Sequence, residues 1–592
     1  MKASHEKRVM STTKVTACWL GARALLAVSI GCAVAATVVL ALVATGGARI
    51  EVSPRSPSRP SPMTFIVQAK SMACAAATVR EIGGEVTREL EIIEAVATTL
   101  TPEQVRRVAR RCAECRLFLD RSTHLMGWGS TPDAAFPTLV GATLLHQEGI
   151  TGRGVTVAVL DSGFLDIPAY EENTAGWRRI KAQYDAFSNT VRTWGFVTDD
   201  SYGHGSHVTG IIASSTRTSA GLYHGIAPDA GLVSVRAFDQ NGGSTYATVI
   251  QAIGWVVANK ARYGIRVLNA SFGAPVGSWY WDDPMNQAIM KAWQAGIVVV
   301  VSAGNTGPGA MTVQAPANVP YVITVGAMTD NYTPPDGTDD YLATFSAAGP
   351  TYEAFPKPDL VAPGGHDLSY IQRASNLGIQ FPQYFIDNWS GYFRLSGTSQ
   401  AAAVVSGVAA LMLQANSALS PDDVKCGLMS TAQAGRTASG TIPYTIFQQG
   451  AGLVTAWAAV HQGLTGCANN GLDIAADVAG TQHFGGTAAQ DSNGNYYLLD
   501  QTGAGTTWNG TYTKTGGYPW SSGYPWSSGY PWSNGYPWSS GYPWSNGYPW
   551  TSSTTSSTTG RTSYAGNTVS AKKTHIPPMG SKVRVPAPGR QQ

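Results

Sequence analysis

Between Pro132 and Cys467, five short runs rich in β-branched residues alternate with longer helical patterns: VTVAVL, GLVSVR, IRVLNAS, GIVVVVSAGN and YVITVGA. Such uninterrupted apolar runs belong to strands covered on both faces, and strands of that kind separated by helices build a parallel sheet between two helical layers. The expected fold class is therefore α/β, a doubly wound parallel sheet, in which sites sit beyond the carboxyl ends of strands. A chain of 592 residues exceeds one ordinary core, so two folded domains with flanking segments are expected.

The flanks differ sharply from this body. Residues 1–62 hold basic positions (Lys2, Lys7, Arg8, Lys14, Arg23), an uncharged stretch from Ala24 to Ala48, and the linker SPRSPSRPSP. That pattern predicts export, either through a cleaved signal peptide or with residues 24–48 retained as a membrane anchor. Residues 63–131 read as a small α/β unit: TFIVQ is a strand, and TPEQVRRVARRC a helix with Thr101 as N-cap, Pro102 in the first turn and Gln104 closing a capping box. Val105, Val108, Ala109 and Cys112 share one face of that helix, which makes Cys112 a core residue. Cys112 and Cys115 have zinc-like spacing, but no second pair accompanies them. Cys426 and Cys467 are either a disulfide or two buried thiols. After the body (132–467) come an extension (468–516), six Gly-Tyr-Pro-Trp-(Ser/Thr)-(Ser/Asn) hexapeptides (517–552) and a basic low-complexity tail (553–592). Pro and Gly in every hexapeptide oppose helix and interior strand, so an extended or disordered segment is expected there.

Within the body, three groups fall at strand ends and helix starts. Asp161 closes VTVAVL in AVLDSG, His204 opens a helix in GHGSHVTGIIAS, and Ser399 opens the long apolar helix of LSGTSQAAAVVSGVAALMLQAN. A carboxylate, an imidazole and a hydroxyl are the parts of a nucleophilic relay, though each alone is more often a turn or cap residue. Asn305 ends VVVVSAGN in a glycine-rich turn, where its amide could donate to an oxyanion beside the Ser399 backbone N–H. His207, one turn after His204, is read as structural, because no HExxH or third ligand follows. Asp199 and Asp200 precede the His204 helix and are read as a solvated loop rather than a cation site.

These motifs resemble the subtilisin-like serine peptidases (subtilase family). AVLDSG, HGSHVTG, NASFG, SAGN, KPDLVAPG and SGTSQAA occur in that family's order, Asp then His then Ser. The resemblance implies Asp161 as orienting acid, His204 as general base, Ser399 as nucleophile and Asn305 as oxyanion donor. It departs after the serine, where Gln400, Ala403 and Val404 replace the family's usual Met, Pro and His. Ser271, Phe272 and Gly273, with Ser302, Ala303 and Gly304, would bind substrate and wall the pocket for the residue before the cut bond. Neither segment carries an acid, so cleavage after uncharged, mostly large apolar or aromatic residues is expected. Residues 63–131 resemble the family's inhibitor-type propeptide, with self-processing expected between Asp120 and Asp133. SPDDVKCGLMSTA, GAGLVTAWAAV, TTWNGTYT and the aromatic repeats are similar to the AprX-like branch of bacterial subtilases.

The expected function is thus an exported serine endopeptidase made as a self-processing zymogen. Two alternatives stay open: a binding or adhesive protein with a degenerate protease core, and an esterase using the same triad. Partners are protein or peptide substrates and the chain's own propeptide, with cell-surface or polysaccharide contact through the repeats, in a monomer. A net charge of +3 without a basic stripe gives no case for nucleic acid. No cofactor is required for catalysis, structural calcium is left open, and the metal content is unknown.

Overall fold

The structure, a computed structural model, describes residues 63–120, 122–125, 135–192, 200–218, 221–329, 340–386, 391–436, 440–499, 505–506 and 524–525. The leader, residues 126–134 and nearly all of the hexapeptide tail lie outside the described residues, as does Asp199. In the body, strands Ile180–Asp185, Gly231–Arg236, Thr156–Asp161, Ile265–Ala270, Val298–Ser302 and Ile323–Thr329 lie side by side and parallel, with Leu360–Pro363 pairing parallel to the last. All five apolar runs are strands of this sheet, as their lack of alternation requires. The doubly wound α/β class is what the chain adopts.

Sheet order places the site. From Thr156–Asp161 the chain goes out to Ile180–Asp185, returns through Gly231–Arg236, and then passes to the other side at Ile265–Ala270. The connections diverge between the strands ending in Asp161 and Ala270, so a crevice opens beyond their carboxyl ends. Helix Thr398–Ala415 lies in the core under this crevice, against the strands Ile265–Ala270, Val298–Ser302 and Ile323–Thr329 and the helix His204–Ala213. Its Ala401, Ala402, Ala403 and Gly407 allow that depth. A Cβ at position 407 would come within 2.5 Å of Ile226 Cβ.

Residues 63–119 form a four-stranded antiparallel sheet, in the order Val86–Leu90, Ala95–Leu100, Met63–Gln68, Arg116–Leu119, with helices Met72–Glu81 and Pro102–Arg111 on one face. Thr101 and Gln104 make the capping box. Phe65, Val67, Ala75, Val79, Val96, Leu100 and Val108 are this unit's own core. Ile66, Leu90, Ile93, Ala95 and Ala97 on the opposite face join the core of the body. The two parts also meet through Gln68 Nε2 and Gln287 Oε1 (2.6 Å), an Arg116–Asp282 ion pair, and Asp120 Oδ1, which accepts from Ala247 N at the start of helix Tyr246–Tyr263 (2.8 Å).

Two expectations about the helix need correcting. Cys112 is no core thiol: it is disulfide-bonded to Cys115 just past the helix end, where the Cys115 N–H bonds back to the Cys112 carbonyl and brings the two together. Ala109 is exposed, since the sheet meets a narrower stripe of the helix around Val108. Cys426 and Cys467 are also disulfide-bonded, which decides that open pair. Beyond Cys467, residues up to 499 stay on the body: Asp477 Oδ2 accepts from Tyr280 Oη and from Tyr321 Oη (3.0 Å), and Gly486 N donates to Glu353 O.

Candidate active site

Asp161 is the last residue of its strand and is fully buried. His204 opens its helix after Gly203, whose φ of 101° lies in the left-handed region and whose Cβ would sit 2.7 Å from Ser375 Oγ, so glycine is required there. His204 Nδ1 lies 2.9 Å from Asp161 Oδ1 and 3.0 Å from Oδ2. Nδ1 therefore carries the proton and donates it to the carboxylate, which leaves Nε2 as the basic nitrogen. The Ser162 N–H fixes the acceptor at 2.8 Å from Asp161 Oδ1.

Ser399 lies in the first turn of the central helix and is fully buried. Its hydroxyl donates to the Ser271 carbonyl (3.2 Å), and the Ser271 hydroxyl donates back to the Ser399 carbonyl (3.0 Å). Ser271 Oγ accepts from Asn269 Nδ2 (2.9 Å), and Asn269 Oδ1 accepts from Ser406 Oγ (2.8 Å). The NASFG motif is thus the frame of the nucleophile turn. The His204 and Ser399 helices meet where Gln400, one residue after Ser399, has its Nε2 3.5 Å from Nδ1 of His207, three residues after His204. His207 Nε2 donates to Phe393 O (3.1 Å). Burial, with the nearby His204 charge, brings the His207 pKa down to about 3, so the ring stays a neutral strut.

Asn305 closes the third side. Its Oδ1 accepts from the backbone N–H of Thr398 (3.0 Å) and from Thr398 Oγ1 (2.9 Å), and Thr398 Oγ1 accepts from Gly304 N (3.1 Å). A backbone N–H can only donate, so this assignment of the amide is fixed and Nδ2 points the other way. That Nδ2 is buried without a protein partner. A buried donor left unpaired beside a nucleophile is ready for an acceptor that arrives with a substrate.

The remaining pocket candidates divide. Gly273 offers backbone to the cleft, pairing with His124, and Phe272 pairs with Leu125. The Phe272 ring itself packs on Phe238, with centroids 5.2 Å apart, inside the core. Ser302 Oγ reaches Phe272 O (3.5 Å), Ala303 N bonds Val325 O, and Gly304 (φ 118°) leaves room for Gln314. Opposite Phe272–Gly273 stands Gly243–Thr245, and between them Ser122–Leu125 of the same chain is inserted antiparallel to both. The cleft therefore has the geometry of a sheet missing its middle strand.

The reading of Asp200 also needs correcting. Instead of lying in a solvated loop it is buried at 1 % exposure. Its Oδ1 accepts from Ser162 Oγ (2.7 Å) and Gly203 N (2.8 Å), its Oδ2 from Ser206 N (2.7 Å) and Ser206 Oγ (2.6 Å). Burial nevertheless holds its pKa above the ordinary carboxylate range. Thr398, Ser162 and Ser206 were missed by sequence reasoning. Their only signal was adjacency to Ser399, Asp161 and His204.

Comparison with known proteins bears on this geometry. The family model described as "Subtilase family" matches residues 152–452. The chain is 35 % identical to Serine protease AprX of Bacillus subtilis (strain 168) over 339 residues, covering 56 % of this chain and 73 % of that protein. It is 29 % identical to Subtilisin E of the same strain over 369 residues, covering 62 % and 82 %. Among solved structures, fervidolysin from Fervidobacterium pennivorans, a keratinolytic enzyme related to subtilisin, matches with a TM-score of 0.56 at 22 % identity, covering 74 % of this chain and 68 % of that one; it supports the fold alone.

Proposed function

The chain belongs to the subtilase family of serine endopeptidases, and from that premise we propose that it is exported, is made as a self-processing zymogen, and cuts polypeptides after uncharged, mostly apolar residues. His204 Nε2 takes the proton from Ser399 Oγ as it attacks the peptide carbonyl, and Asp161 stabilises the imidazolium. The oxyanion of the tetrahedral intermediate accepts from Asn305 Nδ2 and the Ser399 N–H. His204 then passes its proton to the leaving amine, and water resolves the acyl-enzyme by the reverse path. Groups of the chain itself carry every proton and water is the only co-reactant, so this proposed reaction calls for no cofactor.

The observation that carries the reading is the inserted strand. Leu125 pairs with Phe272, and Ser271, one residue before Phe272, has its carbonyl 3.2 Å from Ser399 Oγ. In antiparallel register the next residue of a bound chain falls opposite Ser271, at the nucleophile. The sequence continues from Leu125 with Met126 and Gly127, so self-processing between these two is the first turnover we propose, in keeping with an acid-free pocket. The segment from residue 63 to residue 126 then acts as the inhibitor until removed. The basic, apolar leader and the two disulfides support an oxidising, extracytoplasmic destination.

Mass spectrometry of product from a protease-deficient host tests this directly. Wild type should yield a mature form beginning at Gly127, whereas Ser399→Ala should accumulate unprocessed and hydrolyse neither casein nor a small ester. Normal maturation of the alanine variant would remove Ser399 from the mechanism. An enzyme that hydrolyses the ester but never casein would favour the esterase alternative.

A further inference from the structure

Nothing in the reaction scheme uses Asp200, yet it is the most completely bonded carboxylate near the site. All four of its acceptor positions are taken, two by the Ser206 N–H and hydroxyl, one by the Gly203 N–H and one by the Ser162 hydroxyl. Those donors flank both reacting partners: Ser162 follows Asp161, while Gly203 and Ser206 bracket His204. Ser162 Oγ also accepts from Gly205 N (3.0 Å) and lies 3.2 Å from Asp161 Oδ1, and Ser206 Oγ accepts from Leu165 N (3.1 Å). A single carboxylate thus ties the turn after Asp161 to the turn that starts the His204 helix.

All four donors are neutral, so none cancels the charge. A carboxylate buried without a bonded cation keeps its field, and the His204 imidazole feels it from beyond Ser162 and Asp161. We propose that Asp200 is a positioning residue that holds the Asp161–His204 pair in register and raises the basicity of His204. The titratable groups around it are Asp161 and His204 across the bridge, His207 on the same helix, Tyr202 on its own loop, and Tyr170, whose hydroxyl donates to Ser206 O (2.9 Å). His207 is neutral, and burial raises the pKa of both tyrosines, so the charges that act on His204 from this side are those of Asp161 and Asp200.

The proposal rests on the serine peptidase reading. Its test uses the mature enzyme and a short uncharged peptide amide, with kcat and KM measured across pH. Replacing the charge in Asp200→Asn should move the acid limb of kcat/KM down by about half a pH unit or more, and lower kcat about ten-fold with KM within about two-fold of wild type. Ser206→Ala removes one donor but keeps the charge, and should leave the limb in place. An Asp200→Asn enzyme with an unmoved limb, or with its loss confined to KM, overturns the proposal. Should that variant fail to fold, Ser162→Ala keeps both carboxylates while removing the hydroxyl that joins Asp200 to Asp161 and Gly205 N, and should lower kcat by about three- to ten-fold; wild-type kcat there overturns the proposal equally. Ser399→Ala separates the two readings, since residual hydrolysis by that variant would count against the peptidase mechanism and not against Asp200.

Discussion

Asn305 shows how much of this site depends on one amide being held the right way round. Thr398 supplies two donors to Oδ1, so Nδ2 is held in one direction, and in the mechanism proposed above it meets the developing charge without reorganisation. Asn305→Ala should therefore lower kcat by about 10²–10³-fold with little change in KM, because the amide meets charge present only in the transition state. Steady-state kinetics on a peptide amide checks this, and an unchanged kcat would reduce Asn305 to a turn residue. His207, by contrast, has its pKa near 3 and contributes no ionisation to the neutral range.

At the scale of elements, the crevice exists because a helix start is pressed against a strand end. A Cβ on Gly205 would collide with the Gly163 carbonyl oxygen and come within 3.1 Å of Asp161 Oδ1. Gly205→Ala should displace the first turn of the His204 helix and abolish most activity while thermal unfolding changes modestly; full activity would show that the helix can move without cost. The strands and the helix starts were legible, because burial on both faces and capping leave marks in local sequence. The burial of Asp200 was not, since TDDSYGHG reads as a polar turn and the partners Ser162 and Ser206 come together only through the fold. The Cys112–Cys115 bond was misread because helical periodicity was extended one residue past the true helix end. Lys357 of KPDLVAPG was recognised as part of a motif, but not as a buried strut whose Nζ reaches Asp359 Oδ2 (2.6 Å) and Val322 O (2.9 Å).

For the whole molecule, the stretch after Cys467 docks on the body beside a buried acid. Glu353 is fully buried, its Oε1 accepts from Tyr280 N (2.7 Å), and its carbonyl accepts from Gly486 N. Burial pushes its pKa up to about 7 from an ordinary 4.5. The folded state therefore binds this proton more tightly than the unfolded one, and the group costs stability as pH rises from 4.5 through 7, with the full cost above that window. Glu353→Gln should stabilise the protein at pH 8, by up to ~3 kcal/mol, and give no gain at pH 4. Denaturant unfolding at the two pH values decides it, and equal effects at both would show that Glu353 does not titrate in this range. The inserted strand also sets an order of events during synthesis. Ser122–Leu125 leaves the ribosome about 270 residues before Ser399, on a small domain with its own core. The occupant is thus in existence before the cleft it fills, and a nascent chain reaches Ser399 with a tenant already waiting for the slot.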